Sequence, residues 1–499
     1  MEALSASDKN LEFSGNKLIA RTYADFIDPS LLSASRLDCD YYGPTFVANQ
    51  ARLESAPCAL IKLRDLSTHA SDGTHDTIEM LGGYQQQGIR FITSAEVVAG
   101  LAASPLFITE QAHRRNKRSE VLQGDLLVAV RGSTGVGTAR VYRHDAPANI
   151  NTAVARIRVT PPIDPYWVAT FFNSAVGRLS TLRIANGVNQ LNLNMEETGD
   201  LEVPIPTEPI QRAIGNKLRK AERLREAAVA AQQSVSNLID RWYAVDEWSD
   251  RHPYGWLSPK NFGPDRADAW FNQPSYIRLA RSLAGRGNLK AVGSIAALAT
   301  EPVDFDQFAG SYFEYFEIAD IDSGSGIITS DRVATNSAPS RAKYLVHAGD
   351  LLISTVRPNR KGMALVPDSV SSAVCSSGFS VIRAPDLPTA HYLRACLLHD
   401  VATHQMMRWN SGATYPAIDR SVPLSVLIPY PGHDEIERHG LILHSAAKDL
   451  VAAQELIASA QSDVDRLVDG TLDEQSLITE SEQIEFWLRH HHSSPERSS

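Results

Sequence analysis

The sequence predicts an α+β protein with two similar β-rich domains, each followed by a long helix, and the two helices paired as an antiparallel coiled coil. Three observations predict this fold. A set of landmarks occurs twice at one period, each copy alternates turn signals with short apolar runs, and each copy ends in a seven-residue apolar repeat. A chain of 499 residues has room for two domains that each bury a core.

The repeat is marked by a Gly-Asp turn that leads into an apolar run. Gly124-Asp125-Leu126-Leu127-Val128 returns 225 residues later as Gly349-Asp350-Leu351-Leu352-Ile353. Glycine tolerates positive φ, aspartate can accept from its own backbone, and the apolar run is typical of a buried strand. The segments Val203-Pro204-Ile205-Pro206 and Leu427-Ile428-Pro429-Tyr430-Pro431 keep the same offset. So long a period indicates a duplicated domain rather than a solenoid repeat.

Further landmarks recur in the same order around the two turns. Upstream, Arg36-Leu37-Asp38 pairs with Arg266-Ala267-Asp268, and downstream, Asn186-Gly187 pairs with Ser411-Gly412. In the first copy, Asp72-Gly73-Thr74-His75 is another turn signal between short alternating segments. The copies are therefore predicted to be β-rich, with helices at residues 166–173 and 392–410.

Each copy ends in a segment whose apolar residues recur every seven positions. Such a pattern, kept over four to five heptads, indicates a coiled-coil seam. An amphipathic helix packed only on its own domain is the alternative. The seam is predicted to contain Ile214, Leu224, Val235 and Leu238 from the first helix and Leu443, Leu450, Ile457 and Val464 from the second.

These patterns set the predicted domain boundaries. The first β-rich domain covers residues 1–207, including an N-terminal extension at 1–35, and the first helix covers 208–245. The second domain covers 246–432, beginning with a linker at 246–265, and the second helix covers 433–470. A tail at 471–499 follows, in which residues 490–494 are predicted to be disordered.

Composition and charge exclude several classes of protein. The formal net charge of −10 argues against a surface that binds polyanions everywhere, so nucleic-acid binding would need local basic patches or partner subunits. No apolar run reaches the roughly 18 residues of a membrane span, and the start of the sequence lacks a signal-peptide pattern. Cys39, Cys58, Cys375 and Cys396 have no metal-type spacing and fit a reduced, cytoplasmic protein.

The sequence carries no recognisable catalytic motif. Gly132-Ser133-Thr134-Gly135-Val136-Gly137 lacks the Lys-Ser/Thr of a phosphate loop. Asp164-Pro165-Tyr166-Trp167 lacks the second proline of the adenine-methyltransferase box and is better explained as a helix start with proline in the first turn. Neither a Cys/His ligand cluster nor a nucleophile elbow is found. The chain is therefore predicted to be non-catalytic, without a cofactor or metal of its own.

Basic residues concentrate around the two Gly-Asp turns. Charges on both sides of a strand and its turn can line one face and meet phosphates, while Arg, Asn or Gln side chains reach base edges. A solvated run of surface charge is the alternative explanation. The candidate DNA-contacting residues are Arg114, Arg115, Lys117, Arg118 and Arg131 in the first domain and Arg341, Lys343, Arg357, Arg360 and Lys361 in the second.

The duplicated landmarks, taken together, resemble those of the specificity subunit of type I restriction–modification systems, from about Arg36 to Leu467. The resemblance is carried by the Arg-x-Asp openings, Asp72-Gly73-Thr74-His75, the two Gly-Asp-Leu-Leu turns, the proline-containing closures and the helices after them. It implies two target-recognition domains, each reading one half of a bipartite double-stranded DNA target. The helices would serve as a spacer and as a docking surface for other subunits.

The resemblance also implies partners that perform the chemistry. Two methyltransferase subunits would carry S-adenosylmethionine and methylate adenine, while restriction and translocase subunits, which use ATP, would cleave and move DNA. Two alternatives stay open: a specificity-type subunit of another defence system, and a protein–protein scaffold that binds no DNA. A self-sufficient methyltransferase is a third hypothesis, which the missing motifs disfavour.

Overall fold

The structure, a computed structural model, describes residues 13–14, 17–18, 39–77, 80–101, 105–187, 190–244, 266, 268–308, 312–370, 372–412 and 415–491. The chain divides into two compact units. Unit 1 comprises the residues up to Arg225 together with those from Ala452 onward, and unit 2 comprises Glu226–Val451.

The structure combines helices and short strands in both units. The helices are α1 (Pro44–Glu54), α2 (Ser94–Ala99), α3 (Glu110–Arg115), α4 (Pro165–Asn173), α5 (Ala175–Ile184), α6 (Met195–Asp200), α7 (Glu208–Tyr243), α8 (Pro274–Leu283), α9 (Leu387–Leu398), α10 (Asp400–Arg408), α11 (Val422–Ser425), α12 (His433–Val468) and α13 (Glu474–His490). The strands of unit 1 are β1 (Phe13–Ser14), β2 (Lys17–Leu18), β3 (Ala59–Lys62), β4 (Ser67–Asp72), β5 (Ile89–Ile92), β6 (Leu106–Ile108), β7 (Glu120–Val121), β8 (Leu126–Ala129), β9 (Arg131–Gly132), β10 (Ala139–Val141), β11 (Ala148–Ile150), β12 (Val154–Val159), β13 (Leu191–Asn192) and β14 (Glu202–Ile205). Those of unit 2 are β15 (Leu289–Ala291), β16 (Ala297–Leu298), β17 (Tyr312–Phe316), β18 (Asp331–Ala334), β19 (Ala342–Val346), β20 (Leu351–Ser354), β21 (Met363–Leu365), β22 (Ala373–Ser376), β23 (Phe379–Arg383) and β24 (Leu427–Pro429).

Two four-stranded sheets occupy each unit, and they have the same topology in both. In unit 1 an antiparallel sheet has the order β10-β8-β12-β4, and a mixed sheet has the order β6-β5-β11-β7 with β5 and β11 parallel. In unit 2 the orders are β21-β20-β23-β16 and β18-β17-β22-β19, with β17 and β22 parallel. Strand for strand, order and direction agree, so the predicted duplication is confirmed.

The two Gly-Asp turns have the same geometry. Gly124 and Gly349 have φ values of 88° and 81°, the left-handed region that glycine tolerates. Each following aspartate is buried and accepts hydrogen bonds from a backbone N–H three residues upstream and from an arginine on the adjacent strand. The partners are Leu122 and Arg158 for Asp125, and His347 and Arg383 for Asp350, with arginine N–O distances of 2.7–2.8 Å. A shared structural role thus explains the repeated pentapeptide.

The opening motif of the second copy forms hydrogen bonds that hold the start of its domain in place. Arg266 donates to Asp268 (2.7 Å) and to the carbonyl oxygens of Trp409 and Asn410, just beyond α10. Asp268 also accepts from the N–H of Phe271 (3.0 Å). The first copy of the motif, at residues 36–38, lies outside the described residues.

Helix α4 begins at the segment that resembled a methyltransferase box. Asp164 accepts from the N–H of Tyr166 (2.9 Å) and from Arg219 (2.7 Å), while buried Trp167 donates to the carbonyl of Pro204 (3.0 Å). Asp164 therefore caps the helix, as the interpretation as a helix start predicts, and it also forms an ion pair with Arg219. The predicted helix at 392–410 is instead two helices, α9 and α10, because His399 adopts an extended conformation and caps α10 through the N–H of Val401.

Each long helix has 36 residues, and the two pack antiparallel inside each unit. In unit 1, Lys217 of α7 meets Asp463 of α12 at 2.7 Å. In unit 2, Ala228 of α7 packs with Ala446, and the Trp242 ring contacts the His439 ring near the other end of the pair. The antiparallel helix pairing predicted from the heptads is therefore present.

The buried face of α7 departs from the predicted seam toward the helix end. Of the predicted seam residues, Ile214, Val235, Leu443, Leu450 and Val464 are buried, whereas Leu224, Leu238 and Ile457 are half-buried. Ile239 is buried where Leu238 was predicted, and Tyr243 is buried one turn further along the helix. A straight helix drifts by about 20° per heptad from a strict seven-residue repeat, so over four heptads the buried face approaches the next residue, about 100° away.

The predicted tail contains a helix that packs in unit 1. Asp473 caps α13 by accepting from the N–H of Ser476, and the buried face of the helix consists of Leu477, Ser481, Ile484 and Leu488. This 4-3-4 spacing is an amphipathic helix pattern, although no helix was predicted in the tail. His490, predicted to be disordered, ends this helix, while residues 492–494 lie outside the described residues.

None of the helices that the structure describes is both long enough and apolar enough to span a bilayer.

Candidate nucleic-acid interface

In unit 1 the predicted basic residues lie on two segments that flank the turn after β11. On one side, Gly73 packs so closely on this turn that a Cβ would lie 2.0 Å from the carbonyl oxygen of Asn151. On the other side, the N–H of Val130 donates to the carbonyl of Ala153 (2.9 Å), which brings Arg131 beside the turn. The glycine of the Asp72-Gly73-Thr74-His75 motif is therefore required by close backbone approach.

The same motif holds the main basic segment, residues 110–119. The hydroxyl of Thr74 donates to Asn116 Oδ1 (2.7 Å), and Asn116 Nδ2 donates to Asp76 (2.8 Å). Thr109 caps α3 by accepting from the N–H of Ala112 (3.1 Å). Arg114, Arg115, Lys117 and Arg118 are thus carried on a short helix and turn that are fixed at both ends.

Two buried polar side chains hold this segment from the sheets. Asn149 of β11 is fully buried and donates to the carbonyl of Asn116 (2.9 Å) and to the hydroxyl of Ser119 (3.0 Å). Arg156 of β12 donates to the carbonyls of Glu120 (2.7 Å) and Arg118 (3.4 Å). Sequence reasoning missed both, because their partners lie 30 to 38 residues away along the chain. The signal available in the sequence was a polar residue between two apolar ones, Asn149 between Ala148 and Ile150 and Arg156 between Ala155 and Ile157.

We call the five basic residues of unit 1 the first rim: Arg114, Arg115, Lys117, Arg118 and Arg131. The first four have side chains that are more than half exposed, and each lies within 4 Å of a carboxylate. The carboxylate partners, in the same order, are Glu110, Asp76, Glu120 and Asp72. The hydrogen bond from Arg114 lowers the pKa of Glu110. The basic cluster predicted from sequence is therefore a set of exposed ion pairs.

We call the five basic residues of unit 2 the second rim: Arg341, Lys343, Arg357, Arg360 and Lys361. They also flank a turn, since the carbonyl of Arg341 accepts from Ser377 (2.8 Å) and Thr355 donates to the carbonyl of Gly378 (2.9 Å). Lys361 pairs with Asp400 (2.6 Å). Within the part of unit 2 that the structure describes, Arg341, Lys343 and Arg360 are exposed and form no ion pair.

Shortly after the landmarks Asn186-Gly187 and Ser411-Gly412 lie two side chains that each contact one arginine of a rim. In unit 1, Arg131 donates to Oδ1 of Asn192 in β13 (3.2 Å). In unit 2, the Arg357 guanidinium lies 4.2 Å from the ring centroid of Tyr415, which is 56% exposed. A guanidinium stacked on an exposed aromatic ring occurs only in the second rim among the described rim residues. Tyr415 was missed by sequence reasoning because nothing local links it to Arg357.

Replacing Asn149 by leucine is expected to lower the free energy of unfolding of the full chain by about 2–3 kcal/mol. The volume is retained, but the buried carbonyl of Asn116 and the Ser119 hydroxyl lose their donor. Chemical denaturation followed by circular dichroism measures the effect. Asn237→Leu, at an exposed position of α7, is the control and should change stability by less than about 0.5 kcal/mol. Equal stabilities of the two variants would contradict a structural role for Asn149.

Comparisons with known proteins gave matches only among solved structures: no family model matches the chain, and no curated protein is similar to it in sequence. One matching structure is the S subunit of a type I restriction–modification system from M. genitalium, with 13% identity and a TM-score of 0.43. That match covers 84% of this chain and 96% of the other.

Two further solved structures match over similar lengths. One was solved in work on complex assembly and conformational transition of the type I restriction–modification system, with 16% identity, a TM-score of 0.27, and coverage of 85% of this chain and 97% of the other. The second is the HsdS subunit from Thermoanaerobacter tengcongensis, with 16% identity, a TM-score of 0.25, and coverage of 85% and 96%.

Proposed function

We propose that this chain is the non-catalytic specificity subunit of a type I restriction–modification system and that each unit reads one half of a bipartite duplex target. One observation carries the proposal. The two units share strand order and strand direction, yet their rims carry different side chains at corresponding places. Two copies of one scaffold with different contact residues are suited to two different half-sequences, because sequence is read by side chains at base edges while the scaffold only positions them.

The second rim has the chemistry of a DNA-reading surface. Arg341, Lys343 and Arg360 are exposed without an ion-pair partner in the described part of unit 2, so phosphates can meet them directly. Arg357 is oriented by stacking on Tyr415, and a guanidinium held in one plane is suited to bidentate contact with a guanine edge.

The first rim can exchange its carboxylate partners for phosphates. Exposed ion pairs contribute only about 0–1 kcal/mol, so a phosphate can replace a carboxylate such as Glu110 at small cost. Removing the charge of Glu110 should therefore strengthen DNA binding, whereas removing Arg114 should weaken it.

Methyltransferase subunits are the partners that this proposal requires. Leu441, Ile442 and Val451 of α12 are exposed apolar side chains, which supports docking of another protein on this helix. Two such subunits would carry S-adenosylmethionine, and restriction and translocase subunits would use ATP in the cytoplasm. The paired helices would then set the number of base pairs between the half-sites.

Selection from a random duplex library tests the proposal. The chain is co-expressed with the methyltransferase subunit, and bound duplexes are recovered by band shift at moderate salt and sequenced. Enrichment of two short sequences at fixed separation is the expected result. A complex that binds all duplexes equally would contradict DNA reading and favour the protein–protein scaffold, for which the exposed apolar residues of α12 are the specific observation.

Neutralising three cations of the first rim is expected to flatten the salt dependence of DNA binding. In the triple variant Arg114→Gln, Arg115→Gln, Lys117→Gln, the slope of log K against log salt should fall by roughly 0.9 for each phosphate that the protein no longer neutralises. The matched control is Arg212→Gln, Arg438→Gln, Arg489→Gln, which removes three exposed, ion-paired helix cations elsewhere. Fluorescence anisotropy over a range of salt concentrations measures both slopes. Equal slopes in the two triple variants would show that the first rim does not touch phosphate.

A further inference from the structure

Unit 1 contains a cavity of about 260 Å³ that is lined by three arginines from three different elements. Arg140 comes from β10, Arg178 from α5 and Arg225 from α7, while Gln461 of α12 completes the wall. All three arginine side chains are half-buried, so the cavity can be reached from solvent. None of these residues belongs to either rim.

The three cavity arginines lack acidic partners. Arg178 donates to the carbonyl of Val136 (2.7 Å), and Arg140 donates to the carbonyl of Val97 (3.1 Å). These bonds leave further guanidinium N–H groups on both residues. Arg225 has no hydrogen bond, and none of the three has a carboxylate within 4 Å, among the residues that the structure describes. Burial lowers the pKa of Arg178.

One carboxylate lies near the cavity, and it does not balance the arginines. Burial raises the pKa of Glu222 to about 7, with Arg140, Arg143 and Arg225 as opposing charges. Its Oε2 atom is buried and accepts no hydrogen bond. Half-buried positive charge without a counter-charge is unfavourable, and an anion from solution would relieve it.

The repeat itself does not require these arginines. The counterpart of Arg140, at the centre of β21, is Ala364, and the counterpart of Arg178, fourth in α10, is Thr403. The counterpart of Arg225, at the same distance from the helix start, is Leu450, which packs in an apolar cluster with Ile327. Unit 2 thus has alanine, threonine and leucine at the three positions where unit 1 has its cavity arginines, although another arginine, Arg394, lies half-buried beside β21.

We propose that the cavity of Arg140, Arg178 and Arg225 in unit 1 binds a compact dianion of the phosphate type. Planar guanidinium donors match the oxygens of phosphate and sulfate in geometry and charge. The volume is below the about 300–1,000 Å³ of sites for drug-sized ligands, which favours a single phosphate group over a larger molecule. The phosphate group can come from a free anion or from the backbone of a bound duplex. This inference is independent of the proposed function, since it concerns a second site.

Sulfate is the probe of choice because its charge does not change with pH near neutrality. Thermal unfolding of the full chain is followed while sodium sulfate replaces sodium chloride at constant ionic strength. Sulfate stabilises folded proteins generally, so the wild-type response is compared with that of Arg225→Gln and of Arg212→Gln, an exposed arginine on the same helix. The wild type and Arg212→Gln should respond alike and with saturation. Arg225→Gln should bind sulfate about ten- to a hundredfold more weakly.

A second readout separates ligand binding from a structural role. Without sulfate, Arg225→Gln should be as stable as the wild type or more stable, because it removes an uncompensated charge; with sulfate, it should be less stable. Arg178→Gln should show the same sulfate loss. An unchanged, unsaturating sulfate response in Arg225→Gln would overturn the proposal, and so would equal destabilisation with and without sulfate.

A competition experiment identifies the source of the anion. Radiolabelled inorganic phosphate is bound to the full chain, and duplex DNA is then added at constant ionic strength. Release of phosphate from the wild type assigns the site to the DNA backbone, whereas retention assigns it to a free anion. Phosphate binding that is equal in the wild type and in Arg225→Gln contradicts both assignments. The target-selection experiment can fail without affecting this result, so the two proposals are tested separately.

Discussion

Replacing Lys217 by methionine is expected to lower the free energy of unfolding by about 3–5 kcal/mol. Lys217 of α7 is buried, and its Nζ donates to Asp463 (2.7 Å) and Ser459 (2.9 Å) of α12 and pairs with Glu480 (2.8 Å) of α13. Methionine fills a similar volume but removes the close, buried cation of Asp463, which then keeps only the longer pair to the half-exposed Arg466 (3.5 Å). Chemical denaturation of the full chain, followed by helix content, measures the loss.

The double variant Lys217→Met, Asp463→Leu is the control for this experiment. A buried pair that is replaced as a whole by apolar side chains often costs little, so the double variant should recover most of the stability lost by the single one. Glu480 is half exposed and can be solvated when its partner is absent. A single variant as stable as the wild type would show that this ion pair does not join the helices of unit 1.

A proline at Ala228 is expected to destabilise the helix pairing in unit 2 by about 3 kcal/mol or more. Ala228 is fully buried in the middle of α7 and packs with Ala446 and Leu450 of α12. Proline removes a helix hydrogen bond, clashes with the preceding turn and adds volume where the two helices touch. Assembly with methyltransferase subunits and the spacing of the half-sites should be disturbed while the β-rich part of unit 1 stays folded. Gel filtration of the complex and limited proteolysis measure the two effects.

Ala227→Gly provides the matched control, because Ala227 is exposed on the same turn of α7. Glycine there should cost only about 1 kcal/mol through helix propensity and should leave assembly intact. An Ala228→Pro variant that assembles and supports methylation normally would show that the antiparallel pairing has no part in docking or spacing.

The features predicted correctly from sequence are those with a local pattern. The Gly-Asp turns could be predicted because positive φ and a self-bonding aspartate are encoded within a few residues, and the duplication made the signal visible. The long helices could be predicted from their apolar period. In the last turns of α7 the predicted seam position differs from the buried one, since Ile239 is buried in place of Leu238. Only the actual twist of the helix decides which residue faces the partner helix.

The candidate site shows the limit of charge patterns. Clusters of basic residues identify the rims, but not whether each cation already has a partner. The i,i+4 pair of Glu110 and Arg114 was within reach of sequence reasoning, whereas the pairing of Asp72 with Arg118 depends on how two sheets meet. The cavity is even less predictable from sequence, because Arg140, Arg178 and Arg225 come together only through tertiary packing.

The division of the chain has a consequence for folding on the ribosome. Unit 2 is one continuous stretch, Glu226–Val451, whereas unit 1 combines the first part of the chain with residues from Ala452 onward. The ion pair of Lys217 therefore cannot form until Asp463 has been synthesised, 246 residues later. Unit 1 is therefore completed only after unit 2 has been synthesised, and until the residues from Ala452 onward emerge, a nascent chain exposes the apolar face of the part of α7 that belongs to unit 1. Premature termination after unit 2 would leave the earlier unit without its closing helices and exposed to chaperones and proteases.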